Sequence, residues 1–363
     1  MRLTQLEGSW RAVVLVSIVL VLTITLTGAA SSAYKRERAS LGATHFAMAE
    51  QLRQKGDAET AAEEYRRALF FSPDNGDYRL SLATALIEAG RLDEAQSHLE
   101  QLAEDEPTNP RIYVGMAEIA ARLHRTNTAI ADYRRGVYEY WPPAEIPLRR
   151  AARWELVNLL ISSRRKNEAI GELMLLYSSA PNEPHERERV GFLLLQLGAT
   201  SDASHVFSEL VRMFPQEAAA WRGQAEVASA FGDYVAARHS FQRALRLDPN
   251  DHESASQLQV INAVIDVAPA LPNISSGERL RRSTNLLRRV LKELSGCTGG
   301  AEFSQEVATG EALLAKRPKG NDDLSLQMQQ AAQELWQQRS SVCAGTIPAD
   351  KVIEMAMARN ASE

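Results

Sequence analysis

Prolines that recur at a nearly constant interval constrain the fold of this chain more than any other feature of its sequence. Six of them close similar stretches, and the intervals between them are 34, 35, 39, 34 and 34 residues. A fixed period of roughly 20–50 residues is typical of repeat architectures, in which each unit buries its apolar face against its neighbours. Most of the chain is therefore expected to consist of stacked copies of one unit. The prolines are Pro73, Pro107, Pro142, Pro181, Pro215 and Pro249.

Small residues recur in pairs, twelve positions apart, at the same phase of every copy. In the first copy the pair is Ala49 and Ala61, and Gly56 lies between them. A small side chain in each of two successive helices lets the helices approach closely, a glycine turns the chain, and the proline ends the second helix. Each copy is therefore predicted to be a pair of antiparallel helices. The other pairs are Ala83 and Ala95, Ala117 and Ala129, Val157 and Ala169, Gly191 and Ala203, and Ala225 and Ala237.

A bulky residue late in the second helix of each copy completes the pattern. These residues are Tyr65, Leu99, Tyr133, Leu173, Phe207 and Phe241. The small positions, the bulky position and the closing proline together resemble the tetratricopeptide repeat family, and the clearest copies read AEQLRQKGDAETAAEEYRRALFFSPDN and AEVASAFGDYVAARHSFQRALRLDPND. The resemblance implies an all-α fold, a right-handed superhelical solenoid of helix pairs. The six repeats are placed at 42–75, 76–109, 110–143, 150–183, 184–217 and 218–251.

The third and fourth repeats depart from this pattern. They carry His124 and Arg164 at the turn between their helices, where glycine is usual, and about six residues are inserted between the two repeats. We therefore expect a kink at this junction.

The chain beyond the repeats is also predicted to be helical. Residues 252–268 place Leu258, Ile261 and Ile265 at helical spacing, which indicates a capping helix over the exposed face of the last repeat. Residues 269–363 are expected to form a small helical C-terminal domain. Its predicted helices span about 278–294, 301–316, 322–341 and 348–360.

The first helix of that domain is basic and amphipathic. It begins at a capping box of Ser275 and Glu278, and six arginine and lysine residues share it with a stripe of leucines. A helix of this kind can meet anionic lipid or an acidic partner, but a helix docked on its bundle with a solvated arginine face explains the pattern better.

The amino terminus carries a long uncharged run. Residues 12–34 hold no charge over 23 positions, which is enough to cross a bilayer as a helix at about 1.5 Å per residue. We expect a transmembrane signal anchor there, between a short tail at 1–11 and a linker at 35–41. The small residues at 28–33 also resemble a signal-peptidase site, so a cleaved signal peptide is the alternative.

The expected location follows from that run. We expect a single-pass protein of the cell inner membrane with its repeat domain on the periplasmic side, or a secreted protein if the run is cleaved. The charges specify the orientation weakly, because Lys35, Arg36 and Arg38 after the run balance Arg2 and Arg11 before it.

Charge and motifs argue against other functional classes. The formal net charge is −5, from 41 Lys and Arg against 46 Asp and Glu, which lacks the broad positive field of a nucleic-acid-binding protein. The sequence has no HExxH zinc motif, P-loop or GxSxG elbow. We therefore expect no catalytic residues, no metal ligands and no cofactor, and the chain is not expected to be an enzyme.

The resemblance points instead to a binding surface. In the tetratricopeptide family the first helix of each repeat lines a concave groove, which implies a protein or peptide partner. That phase gives a candidate groove lining of Phe46, Glu50, Arg53, Asp77, Thr84, Glu88, Arg111, Glu118, Arg122, Trp154, Asn158, His185, Glu188, Phe192, Gln196, Arg222 and Glu226.

Three of these residues bear on the kind of partner. Trp154 and Phe192 are candidate anchors for an apolar side chain, although packing against a neighbouring repeat explains them equally well. Asn158 occupies a phase at which family members that bind chaperone tails carry asparagine, but the matching lysines are absent.

The main hypothesis is a membrane-anchored scaffold in a bacterial cell-envelope assembly. The alternative is an extracytoplasmic chaperone or accessory factor for envelope polysaccharide or protein assembly.

Cys297 and Cys343, the only two cysteines, are predicted to form a disulfide. Both lie just beyond predicted helix ends in one small bundle, where a cross-link in an oxidising compartment supplements a limited core. The bond is expected to stabilise the bundle by about 4 kcal/mol in the chain-entropy model. Thiol alkylation of the denatured, unreduced protein measures this, and two reactive thiols per chain would show that the prediction is wrong.

Overall fold

The computed structural model describes residues 3–179, 184–295, 301–316, 322–343 and 350–358. Throughout these ranges the chain forms helices and no β-strand, which confirms the all-α, tetratricopeptide-type fold class. The chain divides into two compact units, Met1–Glu172 and Leu173–Glu363.

The first unit contains the amino-terminal helices. They are α1 (Leu3–Gln54), α2 (Ala58–Phe71), α3 (Gly76–Glu88), α4 (Leu92–Asp105), α5 (Pro110–Arg122), α6 (Thr126–Tyr138), a 3₁₀ turn (Pro143–Glu145), α7 (Ile146–Ser162) and the first half of α8 (Lys166–Ser179). Successive helices pack in pairs, α1 with α2, α3 with α4 and α5 with α6. Ala49 on α1 and Ala61 on α2 are completely buried where the first pair meets, and so is Tyr65 beside them. The spacing of small and bulky residues in the sequence thus corresponds to these contacts.

The second unit continues with the rest of α8 and nine further helices. They are α9 (Pro184–Gln196), α10 (Thr200–Met213), α11 (Ala218–Ala230), α12 (Tyr234–Leu247), α13 (His252–Val267), α14 (Ser276–Leu294), α15 (Ala301–Ala315), α16 (Asp322–Val342) and α17 (Lys351–Ala358). Helices α9 and α10 pack as one pair and α11 and α12 as another, and α13 covers α12.

Phe207 shows why the small positions of the second unit must stay small. Its ring is fully buried between Gly191 on α9 and Gly223 on α11. A Cβ atom added at Gly191 would lie 2.6 Å from the ring, and one added at Gly223 would lie 2.0 Å from it. Both distances are far below van der Waals contact, so a side chain at either position would displace the ring.

The carboxyl-terminal helices pack around α14. The hydroxyl of Ser275 accepts a hydrogen bond from the Glu278 N–H (3.2 Å), as the capping box predicts. Leu287 and Leu294 are buried against the neighbouring helices, while Glu278 binds two arginines of the basic face. This arrangement corresponds to the docked helix with a solvated arginine face.

The predicted disulfide lies only partly within the described residues. Cys343, just after α16, is buried and is not a free thiol. Cys297 lies outside the described residues, so the pairing of the two stays a prediction.

The amino-terminal helix α1 is continuous over 52 residues. It includes residues 35–41, the predicted linker, and ends as the first helix of the first repeat. Its apolar part is exposed along its length, and it is the one helix in the described chain that is long and apolar enough to cross a membrane. The helix therefore fits a membrane anchor or a signal sequence.

The turn between the two helices of a repeat adopts the left-handed conformation in every repeat. Gly56 and Gly90 have φ values of 83° and 80° there, and His124 and Arg164 have φ values of 56° and 60° at the corresponding positions. Residues with a Cβ atom are disfavoured in this region. The departures in the third and fourth repeats therefore change the residue but preserve the turn.

Replacing His124 with glycine is expected to raise the free energy of unfolding of the first unit by about 1 kcal/mol, because the turn then no longer holds a Cβ atom at positive φ. The matched variant Gly90→Ala should lower it by a similar amount, since no described atom lies within 4 Å of the added Cβ and only the backbone cost remains. Urea unfolding followed by circular dichroism measures both. A destabilised His124→Gly protein would contradict the expectation.

Candidate functional site

A groove of ≈ 1040 Å³ in the first unit is the candidate functional site. Residues from α1, α3, α5 and α7, the first helices of the four repeats, form most of its lining, as the family resemblance implies. Leu99 and Tyr133 reach its floor from second helices. The other lining residues are Phe46, Glu50, Arg53, Asn75, Asp77, Tyr78, Leu80, Ser81, Thr84, Ile87, Arg111, Val114, Gly115, Glu118, Ala121, Arg122, Trp141, Glu145, Leu148, Ala151, Ala152 and Glu155.

Aromatic rings form the amino-terminal end of the groove. The rings of Phe46 and Tyr78 stack with centroids 4.7 Å apart and an interplanar angle of 18°. Phe46 also contacts Tyr65, whose centroid is 5.5 Å away. The Tyr65 hydroxyl donates a hydrogen bond to the Glu50 carboxylate, and burial together with this bond raises the pKa of Tyr65 well above its ordinary value. This end therefore offers a rigid apolar surface.

Ion pairs across repeats hold the arginines of the groove in place. Arg53 contacts Glu50 (3.4 Å) on its own helix and Glu88 (3.2 Å) on α3. Arg122 contacts Glu118 (2.8 Å) and donates to the carbonyl oxygen of Ile87 (2.8 Å). The contact of Arg53 with Glu88 joins α1 to α3, and that of Arg122 with Ile87 joins α5 to α3.

The balance of charge in the groove is negative. Arg53, Arg111 and Arg122 face five carboxylates, which gives a formal charge of −2. Arg111 lies 3.7 Å from Glu145, whereas Glu155 is exposed and has no ion pair within the described residues. The groove can therefore accept a positively charged group at Glu155 without breaking an internal ion pair.

The structure brings together eight of the predicted groove residues. Glu88 does not line the groove, but it binds the lining residue Arg53. Trp154 does not line the groove and is 8 % exposed on α7, and Asn158 is exposed on the same helix. The burial of Trp154 corresponds to the packing role considered from the sequence. The eight residues are Phe46, Glu50, Arg53, Asp77, Thr84, Arg111, Glu118 and Arg122.

The phase of the repeats does not identify several lining residues. Tyr78 directly follows the predicted groove residue Asp77 on α3 but does not itself have a predicted phase, and its ring reaches the groove where it stacks on Phe46. Trp141, Glu145 and Leu148 lie at and near the inserted segment between the third and fourth repeats, where the phase is lost. The insertion in the sequence could have indicated these residues, because insertions in repeat proteins often lie on the binding face.

The remaining predicted groove residues lie in the second unit. On α9, Phe192 packs edge-on against Phe207 (4.9 Å), and the guanidinium of Arg222 lies 4.9 Å from the Phe192 ring. Arg222 also binds Asp251 (3.4 Å) and lies 3.9 Å from Glu226. Two further predicted residues, His185 and Gln196, are exposed at opposite ends of α9.

Glu188 stands out among them because its carboxyl group is buried. The residue is 7 % exposed, and its Oε1 atom has no hydrogen-bond partner within the described residues. Oε2 lies 3.4 Å from Nδ1 of the exposed His185. Burial raises the pKa of Glu188 above its ordinary value, and the pKa of Glu226 is raised for the same reason.

The described residues contain no group of three or more His, Cys, Asp or Glu side chains arranged to hold a metal ion. The features that remain are an apolar floor, fixed arginines and a surplus of carboxylates, which suit recognition of a polypeptide.

Models of the tetratricopeptide repeat match residues 52–119, 88–140 and 193–252. No curated protein matches the chain. Similar solved structures include YrrB, a tetratricopeptide protein with an unusual peptide-binding site, at 16% identity over 55% of this chain and 98% of that one, with a TM-score of 0.42. Another is pilF of Pseudomonas aeruginosa, at 16% identity over 61% and 98%, with a TM-score of 0.42. A third is PilW, a type IV pilus biogenesis factor, at 17% identity over 60% and 98%, with a TM-score of 0.40.

Replacing Glu188 with glutamine is expected to raise the melting temperature at pH 7. The pKa of Glu188 is higher in the folded protein than its ordinary value. The wild-type protein therefore loses folding stability as the pH rises from the ordinary pKa through the folded pKa. The gain in Glu188→Gln should therefore shrink as the pH falls towards that ordinary pKa. Thermal unfolding from pH 4 to pH 8 measures it, with the exposed Glu334→Gln as control. A gain of equal size at every pH would contradict the assignment.

Proposed function

The chain is a tetratricopeptide repeat protein, and we propose that it is a membrane-anchored, non-enzymatic scaffold that binds a protein or peptide in the groove of its first unit. The observation that carries this proposal is the groove itself, which is built from the first helices of four repeats. Its volume of ≈ 1040 Å³ lies just above the range of roughly 300–1,000 Å³ typical of small-molecule sites, so the groove is large enough for a polypeptide segment.

The proposed partner segment carries basic and apolar side chains. The formal charge of −2 favours lysine or arginine, and so does the exposed Glu155, which has no ion pair within the described residues. The stacked rings of Phe46 and Tyr78 offer an apolar anchor point at the other end, since interface energy concentrates at buried aromatic contacts. The arginines are already bound to neighbouring carboxylates, so they contribute shape and orientation more than free positive charge.

We further propose that residues 12–34 anchor the protein in the cell inner membrane, with the repeats on the periplasmic side in an envelope assembly. The exposed apolar surface of α1 supports the anchor. Cys343 is not a free thiol, which supports an oxidising compartment, because disulfides persist there. In this proposal residues 42–251 are the repeats, 252–268 the cap and 269–363 the C-terminal domain.

The groove proposal predicts a preference for cationic peptides. Fluorescence anisotropy of the full-length protein in nanodiscs should show tighter binding of a labelled lysine–leucine dodecapeptide than of its glutamate–leucine counterpart. Glu155→Arg should weaken binding of the lysine peptide roughly 5–10-fold, which is about 1–1.4 kcal/mol.

The exposed Glu63 on α2, away from the groove, offers a matched control. Glu63→Arg makes the same change in net charge and should leave peptide affinity unchanged. Equal affinity for the two peptides, or an equal effect of both substitutions, would reject the groove as the binding site.

The topology proposal predicts that the carboxyl terminus lies outside the cytoplasm. Alkaline phosphatase fused after Glu363 should be active, and green fluorescent protein fused there by the same export route should be dark. The opposite pattern would reverse the topology. A mature amino terminus near Ser31 or Tyr34 would replace the anchor with secretion.

A further inference from the structure

The helix that carries the proposed anchor is also the first helix of the first repeat. Helix α1 runs without interruption from Leu3 to Gln54. The level at which it leaves the bilayer therefore fixes which residues of the first repeat meet the membrane surface.

The length of the uncharged run sets that level. Its 23 residues span about 35 Å as a helix, against a hydrocarbon core of about 30 Å. The last of them is Tyr34, and the charged Lys35, Arg36 and Arg38 follow. Tyr34 therefore lies at the boundary between hydrocarbon and headgroups when the run crosses the membrane.

The end of α2 returns to the same level. Nη2 of Arg38 donates a hydrogen bond to the carbonyl oxygen of Phe70 (2.7 Å), in the last turn of α2. The Arg38 guanidinium carbon lies 5.9 Å from the Tyr34 ring centroid and 6.0 Å from the Phe70 ring centroid. Tyr34, Arg38 and Phe70 thus form one cluster at the point where α1 leaves the uncharged run.

The chemistry of this cluster suits a membrane interface. The Phe70 side chain is 73% exposed and that of Tyr34 is 61% exposed, so both rings are free to enter the headgroup layer. Lys35 and Arg36 are also exposed, and with Arg38 they outweigh the single carboxylate of Glu37. Aromatic rings beside basic residues at the end of an apolar span are typical of contacts with lipid headgroups.

We propose that the first repeat is seated on the bilayer, with Phe70 and Tyr34 in the headgroup layer and Lys35, Arg36 and Arg38 against anionic lipid phosphates. This inference rests on the proposed anchor. It places Phe46, at the aromatic end of the groove, about 18 Å along α1 from the membrane boundary, because twelve residues separate it from Tyr34. A peptide bound at that end would therefore lie close to the membrane.

Photocrosslinking of the full-length protein tests the inference. Benzoylphenylalanine is introduced at Leu22, Phe70 or Met48, and each protein is irradiated in nanodiscs of equal parts phosphatidylglycerol and phosphatidylcholine. All three side chains are exposed, and Met48 lies on α1 about 21 Å beyond Tyr34. Mass spectrometry should find lipid adducts at positions 22 and 70 and none at position 48, and phosphatidylglycerol should exceed half of the adducts at position 70.

The outcomes separate the two proposals. Lipid adducts at position 22 without lipid adducts at position 70 would overturn the seating and leave the anchor intact. A missing adduct at position 22 would overturn the anchor itself. In the Lys35→Gln, Arg36→Gln double variant, the phosphatidylglycerol share of the adducts at position 70 should fall towards one half. An unchanged share would overturn the role of these charges.

Discussion

The close contact of paired helices is the constraint on which the rest of the structure depends. Ala49 and Ala61 are completely buried in the first repeat, and Phe207 fits between two glycines in the second unit. Because these contacts are tightly packed and leave no room for a larger side chain, the position of each first helix is set by its partner and by the next repeat. The groove is a consequence of this packing, since the first helices of four repeats stand side by side.

The turn between the helices shows how strongly the packing overrides local preference. Gly90 adopts the left-handed conformation at little cost, whereas His124 and Arg164 adopt it despite their Cβ atoms. A local cost of this size persists when the surrounding contacts determine the conformation. The helices on both sides of these turns bury Ala117 with Ala129 and Val157 with Ala169. Those buried contacts hold the two turns in the left-handed conformation.

The same rigidity gives the proposed binding surface its properties. Arg53 and Arg122 are held by carboxylates and a carbonyl oxygen of neighbouring repeats, so they need little reorganisation when a partner binds. Glu155 is left exposed, which makes it the simplest electrostatic contact for a basic side chain. The continuous helix α1 extends this rigidity towards the proposed membrane anchor, because a helix without a break transmits its orientation to the first repeat.

The sequence by itself determined the repeat, since a period of prolines, small residues and bulky residues leaves helix pairs as the packing that satisfies all three. It also identified eight residues of the groove through their phase. Only the tertiary structure decided which neighbours join them: Tyr78 stacks on Phe46, and Glu145 reaches Arg111 from an insertion that has no phase. Trp154 shares the predicted phase and is nevertheless buried, because a position on a helix defines a direction, whereas exposure depends on what the adjacent elements place there.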